Sequence, residues 1–241
     1  ISEPFGHVII DNFCKNKLKE EILKIPNPNE QRINKSKDYI FAKNKFEKSN
    51  FKTISPGFEE LYNDLVSERF KKILFEITKQ DVFVDKDFHG GGIHQGGEKS
   101  FLDMHVDFNY HPLHKSWFRN LNILLYLNDG WKKDYKGQLD LKHKDKNITK
   151  SIEPLYNRCV IMLTRDYTLH GYKTINFPKN EFRKSLAAYA YTFSSSDKQI
   201  DRSTIWYPEK TNILKKIIGK SWPKLVKIKN LFFGSSTSKN K

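Results

Sequence analysis

In the first third of the chain, apolar residues recur at helical spacing. Lys15 to Ile25 puts Leu18, Ile22 and Ile25 on one face before Pro26 stops the run, which predicts a helix. The stretch ahead of it, PFGHVIIDNF, reads as a short strand. Residues 26–36 are polar and turn-rich, and Tyr39 to Ala42 reads as a further strand. Pro56 opens a stronger pattern, in which Phe58, Leu61, Leu65, Phe70, Leu74 and Ile77 form one stripe and predict a single helix ending near Thr78.

From about Val82 the helical period gives way to alternation. Short β-type runs separated by Gly, Asn, Asp and Pro occur at VFVDKDF, FLDMHVDF, NLNILLYLN, GQLDLKH, KSIEP, RCVIMLT, LHGYKTI and KSLAAYAYTF. Helices in front and eight strands behind predict a mainly β fold with flanking helices. The expected architecture is a double-stranded β-helix (jelly roll, cupin-like) supported by the N-terminal helices. One domain is expected over residues 1–196, with the jelly-roll core at about 82–193, followed by a basic C-terminal extension, 197–241. In that extension TNILKKIIGKSWPKLVKIKNLFFG is amphipathic, with breaks expected at Gly219 and Pro223. A terminal helix docking on its own domain is the favoured reading, and peripheral contact with an acidic lipid or partner is the other. The closing GSSTSKNK is expected to be disordered.

Composition narrows the class. At 241 residues, with 37% hydrophobic and 14% aromatic residues, the chain can bury a substantial core. There is no long uncharged apolar run and the start lacks the regions of a signal peptide, so a cytoplasmic protein without a transmembrane segment is expected. The net charge of +15 is mainly scattered Lys rather than an Arg-rich stripe, which makes nucleic acid an unlikely partner. Cys14 and Cys159 lie outside any paired-ligand pattern.

Candidate chemistry concentrates in the β region. His105 and Asp107 alternate within MHVDF, so on a strand they share a face. Two imidazoles and a carboxylate on one side of a metal, with open positions opposite, is the arrangement used by Fe(II) oxygenases. His170 in TLHGY is the best third ligand, because a jelly roll brings distant strands side by side. His111 and His114 are alternatives that would suggest zinc with His105, although Pro112 marks their segment as a loop.

On RKSLAAYAYTF, Arg183 and Ser185 share a face, and a guanidinium on an inner wall calls for a carboxylate, which a dicarboxylate ligand supplies. Asn122 and Tyr126 share the corresponding face of NLNILLYLN and are candidate donors to that ligand; for Tyr126 an interior aromatic role competes. The Gly-rich HGGGIHQGGEKS and the segment HPLHKSWFR read as lid and rim loops that offer His94, Gln95, Trp117 and Arg119 to substrate. Trp131 is a further rim candidate, with burial against a neighbouring strand as the competing reading.

Taken together, HVD, LHG and RKS resemble the HxD…H…RxS pattern of the 2-oxoglutarate/Fe(II)-dependent dioxygenase superfamily, in particular its prolyl-4-hydroxylase-like group. The similarity runs from PFGHVIIDNF to about Thr192 and includes HVDFNYHP, RNLNILLYLNDGW, GQLDL and NRCVIML. It implies Fe(II) on His105, Asp107 and His170, and 2-oxoglutarate on the metal and Arg183, with Ser185 assisting. O₂ is the co-oxidant and ascorbate an expected reductant. The implied reaction hydroxylates a C–H bond of an amino acid, a peptidyl (including prolyl) group or another small organic substrate, with release of succinate and CO₂. Asp107 disfavours halogenation, since halogenating relatives lack the carboxylate, and Arg183 in place of Lys agrees with the prolyl-hydroxylase-like branch. A non-catalytic jelly-roll binding module that uses the basic tail, a zinc hydrolase and oxidative demethylation of nucleic acid are the alternatives.

Overall fold

The computed structural model describes residues 2–15, 18–28, 34–35, 38–194, 200–209 and 211–233. The expected boundary at residue 196 and the terminal GSSTSKNK lie outside them. The helical side comprises α1 (Leu18–Ile22), α2 (Pro56–Leu65) and α3 (Glu68–Thr78). The strands are β1 (His7–Ile10), β2 (Asn34–Lys35), β3 (Ala42–Lys48), β4 (Phe83–Val84), β5 (Gly92–Val106), β6 (Trp117–Tyr126), β7 (Leu139–His143), β8 (Thr149–Ile152), β9 (Cys159–Leu163), β10 (Thr168–Tyr172), β11 (Arg183–Phe193) and β12 (Ile205–Trp206). Helix α4 (Ile213–Phe233) closes the described chain.

All of the strands join one antiparallel sheet in the order β1-β9-β6-β11-β5-β10-β7-β8, with β3 and β12 also paired to β5. Sequence neighbours are mostly not sheet neighbours, and the sheet is curled into the double-stranded β-helix. Alternation along β6 and β11 explains the layering. Leu121, Ile123, Leu125, Leu186, Ala188 and Ala190 pack outward against Leu18, Phe58, Leu61, Leu65, Phe70 and Leu74 of the helices. The intervening positions Asn122, Leu124, Tyr126, Arg183, Ser185, Ala187 and Tyr189 line an interior cavity.

Several elements depart from the sequence reading for identifiable reasons. The apolar stripe over 56–78 is carried by two helices, because Ser67 accepts a hydrogen bond from the Phe70 amide at 3.1 Å and caps a new helix. The stretch that reads as a strand at Tyr39 to Ala42 is a single bridge between those two residues, and β3 starts at Ala42. HGGGIHQGG, read as a lid, is strand from Gly92 onward, since β3 and β11 pair with it on both sides. Likewise WFRN opens β6 and is not a rim loop. The tail helix runs through Gly219 and Pro223 without a break. Its seat explains why: Trp222 stacks on Tyr39 at 5.8 Å and meets Phe41 edge-on at 5.4 Å, which holds the helix together across the proline.

Candidate active site

Register brings the first two histidines together. In the pairing of β10 with β5, His170 stands directly opposite His105, and their rings are 4.2 Å apart. Asp107 follows just past the end of β5 and presents Oδ1 at 3.5 Å from His105 Nε2 and Oδ2 at 3.3 Å from His170 Nε2. All three residues are buried, and one ligand atom from each lies within 4.8 Å of the others. Gly171 allows this approach, because a Cβ there would stand 2.6 Å from the Leu102 carbonyl on β5.

The imidazoles are oriented for coordination. His105 Nδ1 lies 2.9 Å from the Asp103 carbonyl, which can only accept, so Nδ1 carries a proton and Nε2 is the nitrogen turned toward Asp107 and His170, where it could ligate a metal. His170 is held by a backbone hydrogen bond to Thr168. Burial first, and the neighbouring His105 second, push His170 down to about 3, so it is neutral and able to donate its lone pair. Burial alone would raise the Asp107 carboxyl. Arg119 is foremost in overcoming it, and Asp107 is held well below the usual carboxylate range.

Arg119 is the principal partner of that carboxylate. Its Nη2 lies 3.1 Å from Asp107 Oδ2, and Nε and Nη2 both donate to Asn122 Oδ1 at 2.9 and 2.8 Å. Asn122 Nδ2 in turn donates to Asp107 Oδ2 at 2.7 Å. The guanidinium is 2% exposed and lies over the Tyr189 ring at 3.6 Å. Asn122 therefore orients Asp107 instead of presenting a free amide to a ligand.

Arg183 occupies another part of the same cavity. Its Nε donates to the Gly137 carbonyl at 2.7 Å and Nη2 to the Tyr126 hydroxyl at 3.4 Å, with the guanidinium 4.3 Å from the Tyr172 ring centroid. Among the described residues no carboxylate forms an ion pair with it, so a buried cation faces the cavity with capacity for an anion. Ser185, buried beside it on β11, pairs across the sheet with Tyr126 and with His94. Tyr172 was not anticipated, although its place two residues after His170 on one strand was a usable signal.

The cavity has a volume of about 310 Å³ and also takes in Tyr39, Lys45, Glu47 and Trp206, none of them anticipated. Of the residues expected to touch substrate, His94 and Arg119 line it, and Gln95 is at its wall with its amide donating to the Pro26 carbonyl at 3.0 Å. Trp117 and Trp131 do not reach it. Trp117 is held in an aromatic cluster by His114 (4.0 Å, stacked) and Phe83 (4.9 Å), and the Trp131 indole donates to the Lys136 carbonyl at 2.9 Å. His111 and His114 do not join the triad. His111 accepts from the Leu113 and His114 amides through Nδ1 and turns Nε2 to Asp85 at 3.5 Å. A second cavity, of about 480 Å³, lies among Phe13, Leu18, Leu61 and Phe70 on the helical side, with Lys15, Glu20, Glu21, Glu60, Asp64 and Arg69 also lining it, and contains none of the triad residues.

Residues 91–191 match the family model for the 2OG-Fe(II) oxygenase superfamily. Among curated proteins no sequence matches the chain. Solved structures similar to it include a Pseudomonas putida prolyl-4-hydroxylase (16% identity, 79% of this chain and 94% of that chain covered, TM-score 0.54). A Trichoplax adhaerens prolyl hydroxylase in complex with a hypoxia inducible factor oxygen degradation domain peptide fragment has 16% identity, coverage of 79% and 84%, and a TM-score of 0.53. HygX from Streptomyces hygroscopicus, with nickel and 2-oxoglutarate bound, has 12% identity, coverage of 79% and 84%, and a TM-score of 0.51. At these identities the likeness is one of fold. Two imidazoles and one carboxylate on one side of a buried centre also suit Fe(II) by their donor chemistry. Residues 91–191 thus match the 2OG-Fe(II) oxygenase superfamily, and this domain supports a 2-oxoglutarate- and Fe(II)-dependent dioxygenase activity.

Proposed function

We propose that this enzyme hydroxylates a C–H bond of an amino acid, a peptidyl group or a similar small organic substrate, using Fe(II) held by His105, Asp107 and His170. The observation that carries the reading is the convergence, in one cavity, of this triad with a buried Arg183 that has no carboxylate partner among the described residues. Iron at the triad supplies O₂ activation coupled to decarboxylation of 2-oxoglutarate, so that the C–H bond, O₂ and 2-oxoglutarate give the alcohol, succinate and CO₂.

The protein's own contribution is placement. Arg183 and the Tyr126 hydroxyl offer donors to the distal carboxylate of 2-oxoglutarate, with Ser185 beside them. Arg119 and Asn122 fix Asp107, and the packed walls exclude water. On the substrate side, Lys45 and Glu47 are two apart on β3 and bring opposite charges to the cavity. Burial lowers the Lys45 ammonium against the pull of Glu47 and Asp107. Such a pair suits a substrate that bears both an anionic and a cationic group, as a free amino acid does, which favours that class over an internal peptidyl residue.

The test is substrate-dependent succinate release, measured across free amino acids, their amides and esters, and short peptides. Stimulation by amino acids that falls when either charge is blocked supports the reading. Stimulation by blocked peptides alone would move the substrate to the peptidyl class, and no stimulation by any of these compounds would overturn it.

A further inference from the structure

Helix α4 contains six lysines and no acidic residue between Ile213 and Phe233. Only one side of it is seated on the sheet. Gly219 is buried against β12, where a Cβ would stand 2.6 Å from the Trp206 carbonyl; Trp222 packs on Tyr39 and Phe41; and Lys215 pairs with Asp103 at 2.6 Å. At about 100° per residue, these three positions and Val226 fall in one narrow sector.

A second, broader sector faces outward and is mainly apolar, interrupted by Ser221 and Lys224. Ile213, Leu214, Ile217, Leu225 and Ile228 are 72%, 66%, 54%, 45% and 53% exposed, and Leu231 continues the row at 77%. Lys216, Lys220 and Lys227 form a third sector along its edge. Docking on the domain and presenting an apolar face are thus properties of different sides of one helix. Exposed apolar surface of this extent marks an interaction site. The charge decides the partner: a second copy would set one lysine row against another, whereas an anionic surface neutralises it, as the net charge of +15 also favours.

We propose that α4 is a peripheral membrane anchor, which lays its outward apolar face into the headgroup region of an anionic bilayer with the lysine row against the lipid phosphates. The seat of this anchor borders the active site. Tyr39 and Trp206, on which α4 rests, also line the cavity, and Trp206 packs on His105 at a ring distance of 4.7 Å. The bilayer contact lies on the far side of α4 from this seat, so the helix and one layer of aromatic side chains stand between it and the triad.

The experiment is cosedimentation of the full chain with vesicles of phosphatidylcholine alone and of phosphatidylcholine mixed with phosphatidylglycerol. Binding is expected only to the mixed vesicles, weakening as salt is raised. Replacing Lys216, Lys220 and Lys227 by Ser weakens partitioning on the order of a hundredfold, taking roughly fivefold per lysine at the surface. Leu225→Ser weakens it by about tenfold or more, from the apolar burial lost. Unchanged thermal melts of these exposed variants separate lost binding from lost folding. The proposal is overturned by failure to bind the mixed vesicles, by equal binding to both kinds, or by a concentration-dependent dimer without vesicle binding that Leu225→Ser abolishes, which would assign the face to a second copy.

Discussion

Arg119 and Asp107 form a buried ion pair at 3.1 Å, and the same carboxylate oxygen accepts from Asn122, so one oxygen of the acidic residue is fixed by two neighbours on β6 while the other turns to His105. This relationship separates the residue that would bind metal from the residues that aim it.

Arg119→Leu is expected to lower Fe(II) affinity by roughly 10- to 100-fold, as loss of a ligand's orienting partner does. It should also destabilise the fold by about 3 kcal/mol, because Asp107 stays buried without its counter-charge. Arg119→Lys restores charge without the planar fork and should recover stability more than affinity. Metal titration alongside thermal melts checks both.

Arg183→Ala is expected to weaken 2-oxoglutarate binding by roughly 10- to 100-fold, the range for loss of a charged hydrogen bond, while leaving metal binding intact. Tyr126→Phe should have a smaller effect, since its hydroxyl lies 3.4 Å from Arg183 Nη2. Titration of 2-oxoglutarate into the metal-loaded variants measures the two separately, and equal affinity in Arg183→Ala and wild type would remove Arg183 from this role.

For Lys45→Ala, we expect the KM for substrate to rise about tenfold or more with the KM for 2-oxoglutarate nearly unchanged, as loss of a substrate-side cation requires. A matching rise in both constants would place Lys45 with the cosubstrate. Steady-state assays varying each reactant in turn make the distinction.

Asp85 gives a pH-dependent prediction. It accepts from the Asp87 and His89 amides at 2.9 and 2.7 Å and faces His111. Burial raises its carboxyl, but His111 and the two amides outweigh burial and leave it below its ordinary value of 3.8. A carboxyl with a depressed folded-state value contributes stability above its unfolded value that is lost as pH falls below about 4. Asp85→Asn should therefore melt at a lower temperature than wild type at neutral pH, and the gap should shrink on acidification. A gap that does not change with pH would refute the assignment.

Much of this arrangement was legible in the sequence, and the exceptions have physical causes. Alternation in NLNILLYLN and RKSLAAYAYTF separated core-facing from cavity-facing residues, because both strands are regular through that stretch. Arg119 escaped the same logic. It has opposite parity to Asn122 and comes to the cavity only because the pairing of β6 with β11 shifts between Arg119 and Leu121, where Asn120 is bulged out. A bulge depends on the partner strand and leaves no periodic trace in its own. Lys45 and Glu47 were missed for a related reason, since β3 reads as a polar linker and becomes a cavity wall only through its pairing with β5. Trp117 was placed at the rim because HPLHKSWFR reads as a loop, and the partners that hold Trp117 and Trp131 are ones that periodicity does not predict.

The central claim is that His105, Asp107 and His170 hold an Fe(II) to which 2-oxoglutarate binds. Its most direct test is anaerobic titration of the protein with Fe(II) and then 2-oxoglutarate, followed by visible absorption. The account predicts a metal-to-ligand charge-transfer band that saturates with 2-oxoglutarate and is absent in His170→Ala. Bound iron with no such band, or a band of equal strength in His170→Ala, would contradict it.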